Sequence, residues 1–280
     1  MRVARFRHQG SVRTGIVVGD EIAEVAGEAL DVIAAGYDAA GPAARAAPRH
    51  PLAQVELMAP IPRPPKFLAI GLNYADHMAE SGAEAPAFPV FFNKQSTCVI
   101  GPGEPIHRPR VSEMLDYEGE LGVVIGRRCR HVPAERAQEV IAGYTVVDDV
   151  TVRDWQFKAP TWTLGKSFDT HGPTGPWIVT ADELTDPQSL RIRTWVNGDL
   201  RQDASTKEMI FDCSQQVETL STAFTLEPGD LIATGTPSGV GMFRTPPSFL
   251  RAGDTVRIEI DGIGTLENPV IEEPADTAMR

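Results

Sequence analysis

The sequence predicts a mainly β chain with short helices, an α+β protein, and three observations carry that expectation. Apolar runs such as Gly15-Ile-Val-Val, Lys66-Phe-Leu-Ala-Ile70, Leu121-Gly-Val-Val-Ile125 and Tyr144-Thr-Val-Val-Asp148 are short and bounded by turn residues. Helical signals are few and brief. A proline cluster, Pro60-Ile-Pro-Arg-Pro-Pro65, forbids helix and disfavours a central strand. It divides a small β-containing N-terminal unit, residues 1–60, from a main domain, residues 61–280.

In chain order, residues 2–25 read as short strands separated by the turns Gln9-Gly10 and Gly19-Asp20. The Ala-, Gly- and Pro-rich stretch from Ala26 to Pro51 reads as a short helix and a loop. Beyond the proline cluster, Lys66 to Ile70 reads as a buried strand, and Gly71-Leu-Asn73 turns out of it. A two-turn helix follows over residues 74–81, with Asn73 as its cap, Asp76 in its first turn and Ser81-Gly82 at its end. His77 and Glu80, three apart, share one face of that helix. Val90-Phe-Phe-Asn93 is strand-like within a loop-rich region. A helix is expected from Pro133 to Ala142, closed by Gly143. Thr151 is expected to cap a helical turn that holds Arg153 and Gln156 near Asp149. Gln215 to Phe224 has apolar positions at Val217, Leu220 and Phe224, which predicts a helix capped by Ser214.

Composition narrows the class of protein. With 42 % hydrophobic and 23 % charged residues, the 280-residue chain has an ordinary globular composition. Its 26 Lys and Arg against 38 Asp and Glu give a net charge of −12, which argues against a nucleic-acid or anionic-membrane partner. Cys98, Cys129 and Cys213 are scattered and imply no disulfide framework. No signal-peptide pattern opens the chain and no long apolar run crosses it, so a cytoplasmic protein is expected.

The chemistry gathers around Asp116-Tyr-Glu118-Gly-Glu120-Leu. Strand side chains alternate with period two, so Glu118 and Glu120 point to the same side and bring two carboxylates together. Their repulsion calls for a metal ion, a basic side chain, or a proton on one of them. Asp149, where the apolar run Tyr144-Thr-Val-Val ends, offers a third carboxylate. Three acidic oxygens with no interleaved Cys or His suit Mg²⁺ or Mn²⁺ rather than zinc. Lys166 sits among apolar and small residues in Trp162-Thr-Leu-Gly-Lys166-Ser-Phe. The loop Thr234-Gly-Thr236-Pro-Ser-Gly-Val-Gly241 lacks the ending of a phosphate loop, yet its backbone N–H groups suit a carboxylate.

Taken with Gly71-Leu-Asn-Tyr-Ala-Asp-His77-Met-Ala-Glu80 and Gly143-Tyr-Thr-Val-Val-Asp-Asp149-Val-Thr-Val-Arg153-Asp, these motifs resemble the fumarylacetoacetate hydrolase family, over about residues 60–272. The resemblance implies a mixed β-roll assembled as a homodimer. It implies Glu118, Glu120 and Asp149 as metal ligands for Mg²⁺ or Mn²⁺, and Lys166 beside the metal. It implies His77 and Glu80 as a water-activating dyad on a mobile lid helix, and Arg153, Gln156 and Thr236 as holders of the substrate's 2-oxo-carboxylate. The activity expected is hydrolysis of a C–C bond in a 2,4-dioxo acid of the acylpyruvate type, through a metal-stabilised pyruvate enolate. The same constellation serves an oxaloacetate-type decarboxylase or a 2-hydroxyhepta-2,4-diene-1,7-dioate isomerase. A metabolite-binding member without turnover is the alternative of another class. Gly119, where relatives often carry a larger residue, is expected to loosen the strand or admit a neighbour.

Overall fold

The four apolar runs become strands of one large sheet, with a smaller sheet packed against it, in the computed structural model, which describes residues 1–82, 84 and 86–275. In the larger, 12-stranded sheet, the main order is Arg49–Pro51, Glu21–Val25, Ser11–Val18, Arg2–His8, Gly172–Thr180, Ile141–Asp148, Gly119–Ile125, Leu231–Ala233, Phe67–Gly71 and Val90–Lys94. It is mixed: Leu231–Ala233 runs parallel to Phe67–Gly71, and the remaining pairs along that order are antiparallel. The second sheet orders Asp199–Ser205, Arg191–Val196, Thr255–Ile260, Gly264–Glu272 and Ile106–Arg108. A hydrophobic core that includes Leu121, Val123, Tyr144, Val146, Ile192, Ile258 and Leu266 lies between the sheets and makes a β-roll of them.

Gly119 lets the two sheets meet. A Cβ at this position would stand 2.3 Å from Thr194 Oγ1 and 3.2 Å from Gln202 Oε1. Without one, the Gly119 N–H donates to Gln202 Oε1 at 3.0 Å, so the small residue admits a neighbour, as expected.

The N-terminal segment has core clusters of its own, around Val3, Ile16 and Val32 and around Phe6 and Ile22. Its sheet is nevertheless continuous with the rest, because Arg2 pairs with Val179 and Val3 with Ile178. The stretch from Ala26 to Pro51 holds two helices, Ala29–Ala35 and Tyr37–Ala46, and a short strand, where one helix and a loop were expected. Gly36, at φ 75, separates the two helices.

Four local expectations are corrected. Residues 134–139 form a 3₁₀ helix, and Ile141 already pairs with Ile125, so the sheet claims the residues expected to complete an α-helix. Thr151 does not cap: it pairs with Asp116 in a two-stranded ladder, and the turn Arg153–Gln156 begins after Val152. The later helix runs Cys213–Ala223 and is capped by Asp212, not Ser214, through a capping box with Gln215. The helix Ala75–Ser81 has Tyr74 at its N-cap. Asn73 is fully buried and acts as a clasp, donating to Phe211 O at 3.0 Å and Thr234 O at 2.7 Å while accepting from Phe211 N at 2.8 Å.

Candidate active site

Register in the central sheet places the acids. Gly119 pairs with Asp148, which brings Asp149 beside Glu118: Asp149 N donates to Glu118 O, and Glu118 N donates to Asp148 Oδ1, both at 2.9 Å. Glu118, Glu120 and Asp149 are all buried, and one oxygen of each lies within 4.8 Å of the others. Cations of the chain meet two of them. Lys166 Nζ donates to Glu118 Oε2 and Asp149 Oδ2 at 2.7 Å each, and Arg153 Nη1 donates to Glu118 Oε1 at 2.6 Å. Glu120 Oε2 accepts from the Gly235 N–H at 2.8 Å, and among the described residues no Lys or Arg forms an ion pair with Glu120.

That asymmetry sets the electrostatics. Burial alone would raise the Glu118 pKa, but Lys166 and Arg153 draw it down to about 2. Burial, then repulsion from Asp149 and Glu118, holds Glu120 well above the usual carboxylate range. Burial opposes the charge on Lys166, and the Asp149 and Glu118 carboxylates more than offset it, raising its pKa. A divalent cation would relieve the repulsion felt by Glu120, and three carboxylates with no sulfur or nitrogen donor fit Mg²⁺ or Mn²⁺.

Two residues that the sequence did not single out complete the constellation. Lys94, wholly buried at the end of Val90–Lys94, donates to Asp149 Oδ1 at 2.6 Å and also to the Lys166 carbonyl. Asp116, also wholly buried, accepts from Arg153 Nε at 2.8 Å, Gly241 N at 2.7 Å and Met242 N at 2.9 Å. Arg153 is thereby held at Nε and Nη1, and its buried Nη2 has no partner. Gln156 Oε1 accepts a further bond from Arg153 Nη1 at 3.2 Å. The signal for Lys94 was the alternation itself, since Phe92 and Lys94 share the buried face of their strand.

His77 and Glu80 are less exposed than a surface pair would be. His77 Nδ1 stands 3.1 Å from Glu80 Oε2, with the His side chain 10 % and the Glu side chain 19 % exposed. The helix carrying them is pinned to the Thr234–Gly241 loop: Ser238 Oγ donates to Asp76 Oδ2 at 2.6 Å, and Gly239 N donates to Glu80 Oε1 at 3.0 Å. The loop's N–H groups thus hold carboxylates of this chain. Thr236 Oγ1 accepts from Gln202 Nε2 at 2.7 Å and donates to Gly119 O at 3.1 Å.

A cavity of about 380 Å³ collects His77, Glu118, Glu120, Arg153, Gln156, Lys166 and Thr236 at its wall. Asp149 and Glu80 are not part of that wall; Asp149 stands behind Lys166 and Glu80 behind His77. A larger cavity, of about 740 Å³, lies beside Tyr117, Arg201 and Phe249 and holds none of these seven groups.

Comparison with known proteins gives two family matches. Residues 66–271 match the model described as fumarylacetoacetate (FAA) hydrolase C-terminal, and residues 1–60 match that described as Rv2993c-like, N-terminal. The mitochondrial oxaloacetate tautomerase fahd2 of Xenopus laevis is 47 % identical over 78 % of this chain and 69 % of its own. A structure of 2-hydroxyhepta-2,4-diene-1,7-dioate isomerase from Mycobacterium marinum is 39 % identical at a TM-score of 0.82, covering 98 % of this chain and 99 % of that one. Maleylpyruvate hydrolase from Sphingobium sp. SYK-6, solved with manganese(II) and pyruvate, is 35 % identical at a TM-score of 0.81, covering 98 % of this chain and all of that one.

Proposed function

The chain belongs to the fumarylacetoacetate hydrolase family, and from that premise we propose that it is a divalent-metal-dependent hydrolase of 2,4-dioxo acids of the acylpyruvate type. One observation carries the reading: of three buried carboxylates, each with an oxygen within 4.8 Å of the others, Glu118 and Glu120 line a cavity whose wall also includes His77 and Arg153. Glu118, Glu120 and Asp149 would hold Mg²⁺ or Mn²⁺, which supplies Lewis-acid polarisation to a 2-oxo acid when bound. The manganese and pyruvate in the Sphingobium hydrolase support that assignment.

The remaining roles follow from the chain's own groups. Arg153 Nη2, held in place through Nε and Nη1, donates to the substrate's carboxylate, with Gln156 and Thr236 beside it. Glu80 accepts from His77 Nδ1–H, which leaves Nε2 as the base that takes a proton from water. The water oxygen bonds to C4 of the dioxo acid and the C3–C4 bond breaks. Its electron pair passes to C3 and is delocalised onto the C2 oxygen, a charge that Lys166 is placed to offset. A proton returned to C3 completes pyruvate, and the other product is the carboxylic acid.

A second reading, keto–enol isomerisation of oxaloacetate, is favoured by the likeness to the Xenopus tautomerase and needs no water attack. Rates on acetylpyruvate and on oxaloacetate, with metal and with chelator, for wild type and His77→Ala, separate the two. Chelation should abolish turnover, and His77→Ala should lower acetylpyruvate cleavage about 10²-fold while affecting oxaloacetate much less. Turnover of oxaloacetate alone by the wild type would remove the hydrolase assignment. We place the enzyme in the cytoplasm, which the free thiols of Cys98, Cys129 and Cys213 fit, and propose a homodimer, checked by light scattering.

A further inference from the structure

The wall of the active-site cavity is divided by chemistry. Its described cationic side chains are Arg153 and Lys166, with His77 beside them. Lys166 is committed to Glu118 and Asp149, and Arg153 to Asp116 and Glu118, which leaves the buried Arg153 Nη2 as the guanidinium nitrogen without a partner. The rest of the wall includes Ile70, Leu72, Phe92, Phe157, Trp162, Met242 and Phe243. Trp162 packs edge-on against Phe92, with ring centroids 5.6 Å apart. It closes on Gly71, where a Cβ would stand 2.4 Å from the indole, so glycine makes room for this wall. Phe243 lies 5.8 Å from the His77 ring, and Phe157 is 61 % exposed.

We propose that the substrate carries a single carboxylate, at its 2-oxo end, and an apolar alkyl or aryl tail that lies against Leu72, Phe157, Trp162, Met242 and Phe243. The inference rests on the 2-oxo-acid reading above and narrows it. A dioic acid long enough to reach that wall would bring its second carboxylate to a surface where none of the described lining residues supplies a free cation. Charge moved out of water without a partner is unfavourable, whereas each methylene moved onto the wall is stabilised. A volume of about 380 Å³ falls in the range of small-molecule pockets that enclose ligands larger than a four-carbon acid.

Calorimetry on the Mn²⁺-loaded protein tests this with 2-oxo acids that lack a 4-oxo group, so that binding is read apart from bond cleavage. Affinity should rise about fourfold per methylene from pyruvate to 2-oxohexanoate. 2-Oxooctanoate should bind at least about tenfold more tightly than 2-oxooctanedioate. A dioate that binds as tightly as its monocarboxylate counterpart would overturn the proposal while leaving the 2-oxo-acid reading intact. Failure of every 2-oxo acid to bind, pyruvate included, would overturn that reading as well. Phe157→Arg changes an exposed residue and should improve 2-oxooctanedioate binding about tenfold relative to 2-oxooctanoate; an unchanged ratio overturns the assignment of the tail to this wall.

Discussion

Along the N-terminal strands Arg7 meets Glu56 at 2.7 Å and Arg13 meets Glu24 at 2.5 Å, with side chains 28 to 52 % exposed. At the candidate active site Arg153, Lys166 and Lys94 meet Asp116, Glu118 and Asp149 at 2.6 to 2.8 Å, with every side chain at most 7 % exposed. Geometry is nearly the same in the two regions; the solvent is not. Water screens the first set, so each pair contributes little. In the second, each charge has lost its hydration and depends on its neighbours, and a lost partner cannot be replaced by water.

The comparison breaks most sharply at Lys94. Lys94→Met leaves Asp149 with one cation in place of two, and urea denaturation of the metal-free protein should show a loss of about 3–5 kcal/mol. Saturating Mn²⁺ should restore part of it if Asp149 is a ligand. An intermediate effect is expected at His171, which is buried, with Nε2 2.8 Å from the His107 carbonyl and Nδ1 unpartnered. Burial lowers its pKa from 6.5 to about 3. The unfolded chain therefore binds a proton that the folded chain refuses, and this contribution is complete above pH 6.5 and lost as pH falls toward 3. Relative to His171→Gln, the wild type should lose about 2 kcal/mol between pH 7 and pH 5, read from denaturation at each pH. The smallest effect belongs to the exposed pairs: Arg7→Ala should change stability by less than about 1 kcal/mol, and added salt should shrink that further.

Part of this site was legible from the sequence because strand alternation is a strong constraint. Glu118 and Glu120 had to share a face, and the end of the run Tyr144-Thr-Val-Val pointed to Asp149. Alternation could mark Lys94 as buried, but not which acid it would meet. Nothing local to Val-Phe-Phe-Asn-Lys94 says that the lysine will end beneath Asp149, and Asp116 was read as part of a motif without a task. Local signals also misled where tertiary structure outbid them. Pro133 and Gly143 are sound helix punctuation, yet Ile141 is taken by the ladder with Ile125. Asn73 is a good capping residue, yet it ties Phe211 to Thr234 instead.

Strand Arg2–His8 lies against Gly172–Thr180, which in turn flanks the strand leading to Asp149. The segment ahead of the proline cluster therefore seals a sheet margin. A fragment begun at Lys66 would bare the hydrogen-bonding groups of Ile178 and Val179, beside the strand that leads to Asp149, as a template for pairing with other chains. Any effort to trim this enzyme to the part that begins at Lys66 would meet aggregation before it met loss of chemistry.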